Sequence, residues 1–360
     1  MPDPRMISAG DAILEATDLA MAADPSVFLM GEGVADPKGI FGTTMGLAEK
    51  YGRERVIECP IAENGWTGIA VGAALCGRRP IVIHQRVEFA LLAMEQLANN
   101  AAKLHYISNG RHTVPLVVRL IVGRGWGQGP EHSQSLESLF AYIPGLKVAL
   151  PSTAADAKGM LLAAVADDNP VIFVEHRWMH YAVGAVPEGY VPAALDGPRR
   201  LVEGADVTIV ASSYTTLEAM QAVEVLALNG VTADLIDLRL ARPLDTRPIL
   251  ASVRRTGRLV AVDLGWRTLG PAAEIVAQVA EHCHGDLRAP PRRLGLGDHP
   301  TPSSRSLAQT YYPRSVEIAM AAGLAVGLPA ERLLAVTEEL ERRRSSVPFD
   351  KPHPAFRGPF

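Results

Sequence analysis

The chain has 360 residues, 48% hydrophobic and 21% charged, with a formal net charge of -4. That length exceeds one ordinary domain and suits two, each able to bury a core without disulfides or metals. The small negative charge gives no general electrostatic case for nucleic acid or an anionic membrane. Cys59, Cys76 and Cys283 are an odd number without CxxC spacing, so a reducing cytoplasm is expected rather than a disulfide framework or a zinc site. The start lacks the pattern of a secretory leader, and no segment has the apolar length of a membrane helix.

In chain order, a helix pattern from Ala9 to Ala22 precedes an apolar run, Val27 to Met30, and a Gly-bearing loop, Gly31 to Thr44. A short helix, Gly46 to Lys50, follows. Small residues from Gly65 to Gly77 suit a tightly packed helix, PIVIHQ a strand, and Phe89 to Tyr106 a long helix. VPLVVRLIV (Val114 to Val122) reads as a buried strand. The loop GRGWGQGPEHS precedes a helix from Ser135 to Tyr142, and LKVALP, DAKGMLLAAVADD and PVIFVEH give strand, helix and strand. Such alternation predicts a parallel sheet with helices on both faces. A stretch rich in Gly and Pro interrupts it, and the alternation then restarts with DVTIVAS, TTLEAMQAVEVLALNG, VTADLIDLR, GRLVAVDLG, AAEIVAQVAEHC and RRLGLG. The expected fold class is α/β with two doubly wound domains, at 1–190 and 204–340. A linker is placed at 191–203, and a tail rich in Pro and Arg at 341–360.

Three places carry polar groups that a core does not require. In PIAENGWTG, Glu63 stands between a strand end and a Gly-rich helix start, where a parallel sheet binds ligands, although on pattern alone capping of the helix is the simpler reading. In GRGWGQGPEHSQSLE, four glycines within seven residues deliver Glu131, His132 and Ser133 to a helix start. Acid-base chemistry, phosphate binding and an inert surface loop all remain open there. In ADDNP, Asp167, Asp168 and Asn169 either stop a helix or lend oxygens to a cation.

Taken together, GEGVADPKGIFGTTMGLAEKYG, RVIECPIAENGWTGIAVGAALCGRRPIV, FALLAMEQLANNAAK, the run from EHSQSLE to PVIFVEH, VTADLIDLRLARPLD and DHPTPSSRSLAQTYYP form a specific signature. From about Ala9 to about Leu324, the chain resembles the beta subunit of the decarboxylating first component of 2-oxo acid dehydrogenase complexes. That subunit is a branch of the transketolase-like thiamine diphosphate enzymes. The resemblance implies a pyrimidine-binding domain followed by a transketolase C-terminal-like domain. It makes Glu63 the residue that hydrogen-bonds the pyrimidine N1′, favouring the tautomer that removes the thiazolium C2 proton. His132 matches a histidine near the reacting carbon, and Ile61, Gln85 and Phe89 match the pyrimidine pocket. Leu116, Ala164, Val165, Asp167 and Asn169 match a structural potassium site.

The sequence also departs from the family. Ile83 and His84 replace a common Glu-Phe, Glu95-Gln96 an Asp-Gln, and Glu131 the glutamine before the histidine; GRGWGQGP differs from the loop of the common pyruvate enzymes. No GDG motif, which in thiamine enzymes holds Mg²⁺ and the diphosphate, occurs in the sequence. The resemblance therefore implies that an alpha subunit supplies that half in an α2β2 heterotetramer, with acyl transfer to a lipoyl acyltransferase or another acceptor. The alternatives are a carboligase that forms acyloins or transfers acetyl to an aldehyde or keto sugar, and a non-catalytic assembly subunit. Neither nucleic acid nor membrane is expected as a partner.

Overall fold

The computed structural model describes residues 5–124 and 128–344; for Arg344 only the backbone is described. The N-terminal strand β1 (Met6–Ser8) leads into helix α1 (Ala9–Ala23), where the Ser8 hydroxyl caps the helix by accepting from the Asp11 N–H. There follow β2 (Val27–Gly31), α2 (Leu47–Tyr51), β3 (Val56–Glu58), α3 (Glu63–Leu75) and β4 (Arg79–His84). A 3₁₀ turn (Val87–Ala93) and a π turn (Glu95–Ala101) lead to α4 (Ala102–Ile107), β5 (Val117–Val122), α5 (Glu137–Ala141) and β6 (Lys147–Ala149). The first half closes with α6 (Ala154–Ala166), β7 (Val171–His176), a 3₁₀ turn (Arg177–Tyr181) and β8 (Val183–Ala185), which pairs with β1.

The second half comprises β9 (Arg199–Val202), β10 (Val207–Ala211), α7 (Tyr214–Leu228), β11 (Ala233–Asp237), β12 (Leu240–Arg242), α8 (Arg247–Thr256) and β13 (Leu259–Trp266). It ends with α9 (Pro271–Cys283), β14 (Arg292–Leu296), α10 (Arg305–Ala308), α11 (Ser315–Val326) and α12 (Ala330–Arg344).

Two doubly wound sheets result. The first has the order β12-β6-β7-β5-β4-β2-β3 and is parallel except at β12. Its central strands are buried on both faces, which explains runs that are apolar except for Arg119 on β5 and Glu175 and His176 at the end of β7. One face packs α1 and α6 around Ile13, Met21 and Leu161, and the other packs α3 and the 87–102 segment around Trp66, Val71 and Leu97. The second sheet, β14-β13-β10-β11-β9, packs α7, α11 and α12 on one side and α8 and α9 on the other. Among the described residues, no helix is long and apolar enough to cross a membrane.

The structure differs from the sequence reading at four places. The stretch from Phe89 to Tyr106 is not one α-helix. Its winding changes from 3₁₀ to π to α, and Gln96 in the π turn reaches Asn64 of α3, donating to its Oδ1 at 3.0 Å. A π turn inserts a residue and so re-aims its neighbours, a change that apolar periodicity does not reveal. The expected linker at 191–203 ends in β9, the antiparallel edge strand of the second sheet. Conversely, Leu240–Arg242 within the expected second domain returns to the first sheet as β12. Helix α12 continues to Arg344, past the expected start of the tail at 341; the rest of the tail lies outside the described residues.

Candidate active site at the carboxyl edge of the first sheet

Adjacent parallel strands β3, β2, β4 and β5 end at Glu58, Gly31, His84 and Val122. Parallel strands discharge their loops on one side, so the loops that carry Glu63 and His132 gather at that edge, whereas Asp167, Asp168 and Asn169, which precede β7, lie at the opposite one beside Arg79 at the start of β4. The loop after β2 is pinned there. Gly33 N–H and Ala35 N–H donate to the Glu58 carboxylate at 2.5 and 3.0 Å, and the Arg119 guanidinium donates to Thr43 Oγ1 at 2.8 Å. Arg119 on β5 is fully buried and pairs with Glu175 on β7, which also bonds His180 at 3.0 Å. Burial pushes the Glu175 carboxyl upward, but the Arg119 charge and the hydrogen bonds from His180 and Arg119 outweigh it and hold the carboxyl at about 2. Removing one partner of such a buried pair typically costs about 3–5 kcal/mol, so the scaffold beneath the edge is stiff.

Glu63 opens α3 at this edge and is only 6% exposed. No side-chain hydrogen bond caps the helix start, and the Glu63 carboxylate has no hydrogen-bond partner among the described residues. The capping explanation therefore lacks its bond. A second acid stands close: burial, followed by the charges of Glu63 and Glu58, raises the pKa of Glu32. Glu63 is buried as a residue but its carboxylate oxygens are not sealed in, and the half-buried Glu32 leaves its Oε1 without a hydrogen-bond partner, so the two acids fit a site open to a donor.

Gln85 ties the end of β4 to this cluster, donating to the Glu32 carbonyl at 2.8 Å. Four residues on, the Phe89 ring meets the His132 ring edge-on, with centroids 5.5 Å apart. Segment 85–89 thus joins the Glu32/Glu63 pair to the histidine loop. Ile61 lies just before α3 and is 85% exposed in the single chain. Glu131, by contrast, is exposed and lines a cavity of about 720 Å³ between the histidine loop and the second half of the chain, together with Gln134, Trp266, Asp298 and His299. Of GRGWGQGP, residues 125–127 lie outside the described residues.

The expected potassium ligands each already accept a hydrogen bond or neighbour one that does. Leu116 O accepts from Val171 N–H, Ala164 O accepts from Asp167 N–H, and the carbonyls of Val165 and Asp167 both accept from Arg79 Nη1 at 3.0 and 3.1 Å. Asn169 Nδ2 donates to Asp167 Oδ1 at 3.0 Å. Each carbonyl keeps one lone pair, but a guanidinium already supplies positive charge to two of them.

Two family models match the chain: the transketolase pyrimidine-binding domain over residues 5–180 and the transketolase C-terminal domain over residues 198–318. The beta subunit of acetoin:2,6-dichlorophenolindophenol oxidoreductase from Cupriavidus necator is 39% identical over 328 residues, covering 88% of this chain and 97% of that one. The mitochondrial pyruvate dehydrogenase E1 beta subunit of Pisum sativum is 40% identical over 322 residues, covering 88% and 90%. This chain belongs to the transketolase-like family, as a beta subunit of the 2-oxo acid dehydrogenase type. Members of that type depend on thiamine diphosphate and work with an alpha subunit. A solved structure titled "Split gene transketolase, inactive beta4 tetramer" shares the fold, with a TM-score of 0.72 at 22% identity over 89% of this chain and 99% of that one.

In this beta subunit, sequence reasoning missed several residues at the edge. Glu32 and Glu58 stand within the motifs GEGVADP and RVIECP, where spacing alone assigns them no role. Arg86 donates to Gln128 Oε1 at 3.0 and 2.7 Å, and Glu88 accepts from Gln134 N–H at 2.6 Å. The only available signal was two charged residues inside an otherwise apolar run. The departure at His84 is structural: the ring is buried against Trp66, with centroids 4.5 Å apart, and burial lowers its pKa to about 3, leaving it neutral.

Proposed function

We propose that this beta subunit binds the aminopyrimidine of thiamine diphosphate at the carboxyl edge of its first sheet and activates it through Glu63. The observation that carries the reading is Glu63, a largely buried residue at that edge whose carboxylate has no hydrogen-bond partner among the described residues. When bound, the cofactor would supply a nucleophilic carbon and an electron sink for decarboxylation of a keto acid. Glu63 holds the proton at the pyrimidine N1′, Gln85, Phe89 and Ile61 seat the ring, and His132 moves a proton near the substrate carbon. The pyrimidine-binding domain runs to about residue 190, and the second domain begins with β9.

The exposed Ile61 beside a buried acid fits a half-site that a second chain covers. On this reading an alpha subunit brings Mg²⁺ and the diphosphate grip, and the assembly is α2β2. The acyl group passes to a lipoyl arm or another acceptor, and the three free cysteines suit a reducing cytoplasm. A potassium ion seated on the second lone pairs of Leu116, Ala164, Val165 and Asp167, with Asn169, is part of the same proposal.

The test is reconstitution. The lone chain with Mg²⁺ and cofactor should not turn over pyruvate or acetoin, the substrates suggested by the relatives' names, whereas the complex with its alpha subunit should turn over one of them. Full turnover by the lone chain would overturn the half-site reading.

A further inference from the structure

Three contacts run from one short segment to the loop that carries His132. Arg86 holds Gln128 on one side of the histidine, Phe89 meets the His132 ring, and Glu88 accepts from Gln134 N–H on the other side. Glu88 is 8% exposed, and its second carboxylate oxygen is buried without a hydrogen-bond partner. The backbone of the loop is equally confined, because the His132 carbonyl oxygen lies 1.9 Å from where a side chain on Gly123 would begin.

We infer that Glu88 is a positioning residue for the reaction, holding the histidine loop through the Gln134 N–H so that the His132 ring keeps its pose against Phe89. A buried carboxylate accepting a backbone N–H forms a strong, directional bond, and placing it two residues from His132 fixes the loop on the side opposite the Arg86 clamp. Burial raises the Glu88 pKa to about 7, opposed by the Gln134 N–H and by the Arg86 charge. The groups facing it are Arg86 on its own segment and Gln134 on the loop. Burial lowers the Arg86 pKa to about 10, with the Glu88 charge opposing and the Arg177 charge adding to the shift. Loop placement through Glu88 therefore changes across the neutral range, because a protonated carboxyl is a weaker acceptor.

The inference rests on the role proposed for His132, and the test separates the two. In the reconstituted complex, Glu88→Met removes the acceptor while Glu88→Gln keeps an amide oxygen for the Gln134 N–H. Misplacing a reacting group by about 1 Å costs roughly 10²-fold, so Glu88→Met should lower kcat by about tenfold or more. Cofactor affinity, KM and melting temperature should stay close to wild type, because the loss lies in the pose of His132. Glu88→Gln should recover most of kcat and lose whatever part of the pH profile titrates near 7. Adding Glu88→Met to His132→Ala should cost little further, since both act through one ring. An unchanged kcat in Glu88→Met, or an undiminished loss in the His132→Ala background, would overturn the inference. A Glu63→Gln control that kept full turnover would instead sink the proposed function itself.

Discussion

The edge-on contact of Phe89 with His132, at 5.5 Å between centroids, joins two strand-end loops that lie far apart in sequence. An imidazole held against an aromatic edge has little freedom to rotate, so the histidine is presented in one orientation. The same contact makes the backbone beneath His132 a sensitive place.

Gly123→Ala tests that sensitivity. The new Cβ would start 1.9 Å from the His132 carbonyl oxygen, and a backbone atom cannot swing away as a flexible side chain can. Turnover of the complex should fall by about tenfold or more, with the circular dichroism spectrum retained. Wild-type turnover would show that the loop shifts without consequence.

Glu131 replaces a common glutamine, yet it faces the cavity toward Asp298 and His299 as an exposed side chain. Charges exposed to solvent are screened within about 8 Å at physiological salt. Glu131→Gln should accordingly leave the pH profile of the complex in place. A displaced profile would mean that the acid turns toward His132 when the alpha subunit is present.

Two buried acids face each other where the halves of the chain meet. Burial, then the charge of Glu137 on α5, raises Asp263 on β13 to about 8, and burial raises Glu137 as well. A carboxyl whose folded pKa lies above its unfolded value contributes fully below about pH 4, and its contribution is lost as pH rises through about 8. Glu137→Gln removes one titration and the repulsion on the other, while Ser135 Oγ can still donate to the amide oxygen. Between pH 6 and pH 9 the melting temperature should fall less in the variant than in wild type. Equal falls would show that the pair does not govern stability in this range.

The ion proposed near Arg79 has a separate readout. Anything that binds the native state alone stabilises it by mass action. Replacing choline chloride with potassium chloride at equal ionic strength should raise the melting temperature by a few degrees, with no gain in a Leu116→Pro control that disturbs those carbonyls. Identical melting in both salts would mean that the Arg79 guanidinium suffices there.

Most of the scaffold was legible because each signal was local. The run Val27 to Met30 is apolar without alternation, and Val114 to Val122 is so apart from Arg119, as strands buried on both faces are. What escaped was set by distant contacts. Arg199–Val202 pairs with β11, Leu240–Arg242 crosses back to β6, and the π turn at Glu95–Ala101 answers Asn64 on another helix. At the site, motif spacing singled out Glu63 and His132, whereas Glu32 and Glu88 gain meaning only when the sheet brings their partners beside them.

The central claim is that the buried Glu63 carboxyl activates the cofactor, and the most direct measurement is proton exchange at the thiazolium C2. It would be followed by NMR in deuterated buffer, on the reconstituted complex loaded with thiamine diphosphate and Mg²⁺, for wild type and Glu63→Gln. The account predicts that the variant still binds the cofactor but exchanges about 10²-fold more slowly or worse, as expected when a positioned acid is removed. Exchange at the wild-type rate in a fully loaded variant would contradict it.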